Sequence, residues 1–370
     1  MEAGGFEQAG AAAGIWRAVD ASANRAGEAL RVIEDVVRFV LDDAFLTQLA
    51  KELRHDLAAV LAEPGLQPRL ALRDVPGDVG VGVEASASLP RADANDLLAA
   101  NARRAAQALR SLEECAAAVA PGVRGSFERL RYRLYSLERA AGVSVAAARR
   151  LDGVDLCVLV DGRADLPAFD RLVESLFEAG VRMIQIRDKN LEAAGLAARA
   201  RHAVAIARRR RPDGGGIVVV NDRADVAAAV GADGVHTGAD DLSTTLVRRV
   251  VGPRLLVGRT AHDVAEARAA VVDGADYLGV GPCFPSATKA FESFAPPDFL
   301  REVAGGSSLP VFAIGGVTLD RLAALAALGI RRVAVASAVT AAADPARVAR
   351  GFIERLERRA SPSPPARESP

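Results

Sequence analysis

Aromatic side chains are scarce in this chain: Phe, Trp and Tyr make up 4% of its 370 residues, with a single Trp. Cysteine is rarer still. Cys115, Cys157 and Cys283 are odd in number and too widely spaced for a metal knuckle, which argues against a disulfide scaffold and fits a reducing cytoplasm. Net charge is absent too, because 47 Lys and Arg balance 47 Asp and Glu. No global field favours nucleic acid or an anionic membrane, so any anion site has to be made locally. No apolar run reaches the roughly 18 uninterrupted residues of a membrane helix. The Gly- and Ala-rich start lacks the basic flank and apolar stretch of a secretion signal. The expectation is a cytoplasmic protein with neither nucleic acid nor membrane as partner. Missing as well are a G-x-x-x-x-G-K-[ST] nucleotide loop, an H-E-x-x-H zinc helix and any Ser/His/Asp or Cys/His spacing suited to a covalent nucleophile.

What is present is ample core material, half the residues being hydrophobic and a quarter charged. The length exceeds the roughly 250 residues typical of one α/β barrel, so a second domain is expected. From Ile15 to Gly142 apolar residues follow helical spacing, as in Leu30, Ile33, Val37, Val40 and Leu41, then Leu46, Leu49, Leu53, Leu57 and Leu61. Within this region Arg25-Ala-Gly-Glu-Ala-Leu-Arg-Val-Ile-Glu-Asp35 recurs 79 positions later as Arg104-Ala-Ala-Gln-Ala-Leu-Arg-Ser-Leu-Glu-Glu114, which points to two related helical hairpins. Between them, Pro76, Gly77 and Gly80 break any continuous helix. The predicted organisation is an all-α domain over 15–145 and an α/β domain over 152–357, with residues 1–14 and 358–370 lacking fixed structure.

In the second region short β-branched runs at about 154–160, 182–187, 217–221, 233–236, 254–258, 276–281, 310–314 and 332–336 alternate with Ala- and Leu-rich helices. This cadence predicts a (β/α)8 TIM barrel. A doubly wound sheet would place a glycine fingerprint after its first strand, where this chain has Asp161-Gly162-Arg163.

Barrel enzymes work at the C-terminal ends of their strands, and polar residues collect there in this sequence. Gln185, Arg187 and Lys189 alternate at the end of the second strand, so period-2 geometry sends them to one side. They read either as solvated charges or as a grip on polyphosphate. Asn221-Asp222 and Asp240-Asp241 follow neighbouring strands, where the carboxylates can cap helices or share a hard cation such as Mg²⁺. His236 reads as a packed or hydrogen-bonded strand-end residue rather than a metal ligand. After the sixth strand, Ser286, Thr288 and Lys289 supply two hydroxyls and an ammonium for phosphate. Gly315-Gly316 permits close approach of a ligand, and Ser337 follows the last strand, the usual phosphate position of this fold. Two phosphate regions across one mouth read as a transferase. Arg208 to Arg211 reads as a basic helix end, and Cys283, lacking a neighbouring His or Cys, as structural.

At these residues the chain resembles thiamine-phosphate synthases, through Q-I-R-D-K, N-D-R, G-V-H-T-G-x-x-D, G-x-T-A-H, G-P-C-F-P-S-A-T-K and I-G-G-V in order over about 152–357. The resemblance implies condensation of a hydroxymethylpyrimidine diphosphate with a thiazole phosphate, giving thiamine phosphate and pyrophosphate. It implies that Gln185, Arg187, Lys189, Asn221, Thr260 and Lys289 bind the pyrimidine diphosphate, with Arg187, Lys189 and Lys289 drawing off pyrophosphate. Asp222 and Asp241 would hold Mg²⁺. Ser286, Thr288, Gly315, Gly316, Ala336 and Ser337 would take the thiazole phosphate. Thr260 and Ser286 replace the usual Ser and Thr and keep the hydroxyl, while Arg259 is a less familiar neighbour.

The helical region is similar to the ThiD2 module through Asn24 to Asp35, Leu53-Arg-His55, Arg73-Asp-x-x-Gly-Asp-Val-Gly80 and Leu130-Arg-Tyr-Arg-Leu-Tyr135. That resemblance implies a kinase for hydroxymethylpyrimidine phosphate with ATP as partner, and Asn24, Arg25, Arg31, Asp35, His55, Arg73 and Asp78 as its candidate residues. Competing readings are a thiazole tautomerase-like isomerase, a non-catalytic sensor of thiazole or thiamine phosphate, and a purely structural first domain. The oligomeric state is not readable from the sequence.

Overall fold

The computed structural model describes residues 3–74, 78, 90–212, 214–285 and 293–360. The chain divides into two compact units between Gly142 and Val143. The first is helical: α1 (Ala3–Phe39), α2 (Ala44–Leu61), the one-turn α3 (Pro68–Ala71), α4 (Ala94–Val119) and α5 (Arg124–Arg150), the division falling inside α5. α1 begins at Ala3, within the segment expected to lack structure, because its alanines carry the highest helix propensity of any residue. Asp43 and Asp93 open α2 and α4 by accepting the backbone N–H of Leu46 at 2.8 Å and of Asp96 at 2.9 Å.

The repeated segment takes the same form twice. In the first copy Glu34 of α1 binds Arg54 of α2 at 2.7 Å, and in the second Glu113 of α4 binds Arg131 of α5 at 2.9 Å. Asp56 and Arg133, the positions two residues beyond these arginines, pair with each other.

The second unit carries the strands β1 (Leu156–Val160), β2 (Met183–Ile186), β3 (Ile217–Asn221), β4 (Gly234–Thr237), β5 (Leu256–Ala261), β6 (Tyr277–Val280), β7 (Val311–Ile314) and β8 (Arg332–Val335). They close in sequence order into a parallel barrel, β8 pairing back onto β1. Helices α6 (Leu166–Glu178), α7 (Ala193–Arg210), α8 (Ala224–Val230), α9 (Thr244–Val251), α10 (Val264–Val272), α11 (Pro297–Gly306), α12 (Leu322–Ala327), α13 (Ser337–Thr340) and α14 (Pro345–Ala360) alternate with or follow them. The barrel interior is filled rather than open. Cys157, Leu159, Met183, Ile217, Val219, Leu256, Tyr277, Phe312 and Ala334 pack inside it, with Tyr277 edge-on to Phe312 at 5.6 Å. A filled interior leaves the strand ends as the place for ligands. No described helix is long and apolar enough to cross a membrane.

Candidate active site

Gln185 is 4% exposed, one residue short of the end of β2. The N–H of Arg187 still donates to Val160 O at 2.8 Å, which extends the ladder by one step. Lys189 lies beyond the strand, so its approach to the mouth depends on the loop rather than on strand alternation. Asp188 builds that loop. Its carboxylate accepts the N–H of Gly162 at 2.9 Å and of Asn190 at 2.8 Å, tying the β1 and β2 turns together. Burial acts to raise its pKa, but these backbone donors and Arg199 outweigh it and hold the group below its usual range.

Asn221 ends β3, and Asp222 beyond it sits at φ 60°, a left-handed conformation that Asp tolerates better than most residues. The strained turn is fixed by the Asp222 N–H donating to His236 O at 2.8 Å and the Ala224 N–H donating to Asp222 O at 3.2 Å. Asp241, in the β4–α9 connection, accepts the N–H of Gly238 at 2.8 Å. The two carboxyls meet. Burial first, then the hydrogen bond and negative charge of Asp241, push Asp222 up to about 6, against the pull of Lys189 and Arg187. Arg187 and Lys189 thus lie within electrostatic reach of Asp222, whose hydrogen-bonding neighbour is Asp241, an arrangement in which a hard cation would relieve the repulsion between the two acids.

Among the described residues no group of three or more His, Cys, Asp or Glu could hold a metal. The donor set is an all-oxygen pair, which suits Mg²⁺ completed by substrate phosphates and water rather than an all-protein cage.

Across β4 and β5, His236 Nε2 lies 2.9 Å from the hydroxyl of Thr260, and its ring stacks on Tyr277 at 5.4 Å. The neighbouring Arg259 points the other way. It donates to Thr237 Oγ1 at 3.2 Å, Leu242 O at 2.9 Å and Ala239 O at 3.0 Å, bracing the loop that carries Asp241.

On the opposite arc, Gly315 and Gly316 follow β7 at φ 93° and 64°. A Cβ on Gly316 would lie 2.4 Å from Pro285 O, so only glycine lets this turn close onto the β6 loop. Arg321 holds the same two segments through Pro285 O at 3.0 Å and Gly316 O at 2.5 Å. Ala336 follows β8 and Ser337 opens α13, leaving both next to β7 on one side and β1 on the other. Ser286, Thr288 and Lys289 lie outside the described residues. Burial pushes the Cys283 thiol up to about 12, and that of Cys157 likewise, so neither is a thiolate nucleophile near neutrality.

Sequence reasoning gave no role to Asp188, Arg259 or Arg321. Each acts mostly on backbone atoms, which carry no sequence signature; the only available signal was a charged residue set among site residues, as Asp188 is between Arg187 and Lys189. In the helical unit Asn24, Arg25, Arg31 and Asp35 are exposed on α1, whereas Arg73 is held by the buried Asp20 through contacts of 2.6 and 2.8 Å.

The family model described as thiamine monophosphate synthase matches residues 156–339, and that of the ThiD2 family matches residues 17–140. A thiamine-phosphate synthase of Rhodopirellula baltica is 37% identical over 353 residues, covering 93% of this chain and 93% of its own. One of Gloeobacter violaceus is 37% identical over 348 residues, covering 93% and 97%. Among solved structures, a thiamine phosphate pyrophosphorylase from Pyrococcus furiosus is 29% identical with a TM-score of 0.50, covering 58% of this chain and all of that one.

Proposed function

The chain belongs to the thiamine monophosphate synthase family, and from that premise we propose how its barrel mouth carries out the transfer that makes thiamine phosphate. It is a transferase of thiamine biosynthesis. The observation that carries the reading is the convergence of Arg187 and Lys189 on the Asp222–Asp241 pair. Cations beside a metal-competent acidic pair suit a diphosphate, which needs charge neutralisation as it leaves.

The substrates are a hydroxymethylpyrimidine diphosphate and a thiazole phosphate. Gln185, Arg187, Lys189, Asn221 and Thr260, with Lys289, bind the diphosphate. Asp222 and Asp241 hold Mg²⁺, which when bound supplies Lewis-acid neutralisation of phosphate oxygens. Arg187 and Lys189 orient the leaving group so that the pyrimidine methylene C–O bond breaks with its electron pair passing to pyrophosphate. The thiazole nitrogen then forms the new C–N bond and becomes the thiazolium. Gly315, Gly316, Ala336 and Ser337, with Ser286 and Thr288, hold the thiazole phosphate so that this nitrogen faces the methylene carbon. The route needs no protein nucleophile, in keeping with the high pKa values of Cys157 and Cys283.

The ThiD2 match supports a second activity for the helical unit, transfer of a phosphoryl group from ATP to hydroxymethylpyrimidine phosphate, which would make the barrel's own substrate. The test of both readings is an assay of the full chain with each substrate omitted in turn and with EDTA added. Thiamine phosphate should appear only with both phosphorylated substrates and should vanish with EDTA; formation without the thiazole phosphate would sink the proposal. ADP release from ATP and hydroxymethylpyrimidine phosphate tests the kinase, and its absence leaves the helical unit a structural role.

A further inference from the structure

Beneath the mouth the barrel gives up side chains to house one imidazole. His236 is 7% exposed, and Gly258 and Gly279 face it from β5 and β6. A Cβ on Gly258 would lie 2.4 Å from His236 Nδ1 and 2.1 Å from Tyr277 Cζ, and one on Gly279 would lie 3.1 Å from His236 Cε1. Glycine inside a strand weakens it unless a close approach is needed, and here the approach is to His236. Packing alone does not explain the ring. A buried nitrogen without a partner is unfavourable, and among the described residues Nδ1 has none, whereas Nε2 meets the Thr260 hydroxyl at 2.9 Å. An apolar side chain would fill the space without that penalty.

We propose that His236 is a positioning residue that donates its Nε2–H to Thr260 Oγ1 and so leaves the Thr260 proton free to be given to the diphosphate. The direction of the bond follows from the orphaned nitrogen. A neutral imidazole carries one N–H, and buried N–H groups without an acceptor are rarer than under-used acceptors, so the proton belongs on Nε2. The ring is 7% exposed, and burial disfavours its charged form. With its acceptor lone pair engaged, the Thr260 hydroxyl turns its hydrogen outwards as a donor to an anion rather than inwards to the ring. This inference rests on the diphosphate reading for Thr260, and its first test is independent of turnover.

In protein labelled with ¹⁵N-histidine, the ring signals of His236, assigned by their loss in His236→Asn, should show a protonated Nε2 and an unprotonated Nδ1. The reverse tautomer would overturn the inference whatever the activity, and a protein with the expected tautomer that makes no thiamine phosphate would count against the activity reading alone. Kinetically, Gln reaches the position of Nε2 whereas Asn reaches only that of Nδ1. His236→Asn should lower kcat/KM for the pyrimidine diphosphate by roughly ten- to a hundredfold, the range of a lost hydrogen bond to a charged group, with the KM for thiazole phosphate unmoved. His236→Gln should recover most of that loss. In a Thr260→Val background His236→Asn should cost less than about twofold more, because the coupled partner is already gone. Equal defects in the Gln and Asn variants, or a full additional loss in the Thr260→Val background, would show that the ring acts by packing.

Discussion

Two carboxylates show how the same fold-stabilising rules are obeyed in one place and broken in another. Glu113 in the helical unit is 1% exposed and is met by Arg131 at 2.9 Å and Arg110 at 2.6 Å. Burial alone would raise its pKa, but the two arginines outweigh burial and hold it below the usual carboxylate range. Asp222 at the barrel mouth is partly buried too, yet its hydrogen-bonding neighbour is another acid and its pKa stands at about 6. A buried charge that is paired stabilises its surroundings; one left against a like charge is held there by a scaffold that tolerates the repulsion. The difference separates structural charge from site charge.

The largest effect that would break the contrast is on turnover. Asp222→Ala should lower thiamine phosphate formation by about 10²- to 10³-fold, as loss of an electrostatic element at developing charge does, while the metal-free melting temperature stays level or rises. Retained turnover in a steady-state assay would remove Asp222 from the site. Glu113→Ala should do the opposite. Losing one partner of a buried ion pair costs about 3 kcal/mol, so denaturant unfolding should show a destabilised helical unit with barrel turnover per folded molecule unchanged.

The pH dependence should then differ in sign. Asp222 has a folded pKa raised above its ordinary 3.8, so its contribution to stability is present below about 3.8 and lost as pH rises through about 6. Glu113 has a folded pKa lowered from 4.5, so its contribution is present above 4.5 and lost as pH falls through the lower folded value. Without metal, the wild type should gain stability relative to Asp222→Asn on going from pH 7 to 5. The pH-dependent downward pull of His236, whose pKa of about 4 disfavours acid, is common to both proteins and cancels. Mg²⁺ should abolish the gain by competing with the proton. A flat difference across this range, followed by thermal melts, would contradict the paired-acid description.

How much of this was legible in the sequence follows the range of each interaction. Strand β3 shows itself as Ile217-Val-Val-Val-Asn221 because burial on both faces leaves a continuous β-branched run, and all eight strands could be placed by the same local signal. The approach of Asp222 to Asp241 was also readable, since parallel neighbours in register, with Asn221 opposite His236, must end side by side. The route by which Lys189 comes within reach of Asp222 was not readable, because the β2 ladder ends with Arg187 and a loop built by Asp188 takes over. The helical start at Ala3 was hidden by composition: Gly4, Gly5, Gly10 and Gly14 interrupt the apolar period, while the alanines between them sustain the helix. Bonds from side chains to distant carbonyls left no trace at all.

Arg259 is such a case, and it sharpens the contrast most finely because it is a structural charge inside the site. Its guanidinium bonds Thr237 Oγ1, Leu242 O and Ala239 O, so it fixes both sides of the loop from which Asp241 reaches Asp222. If Asp241 holds Mg²⁺ as proposed, a residue supporting it from behind affects affinity by about 10- to 100-fold, and the loop also retains the Gly238 N–H bond to Asp241 at 2.8 Å. Arg259→Leu should therefore raise the Mg²⁺ concentration for half-maximal turnover by about tenfold, with little change in turnover at saturating Mg²⁺. Arg259→Lys should recover only part of this, since a single ammonium cannot span three acceptors held by a fork. If both variants instead lowered saturating turnover at an unchanged Mg²⁺ requirement, Arg259 would act on the substrate rather than on the loop, and the line between structural and site charge would run on its other side.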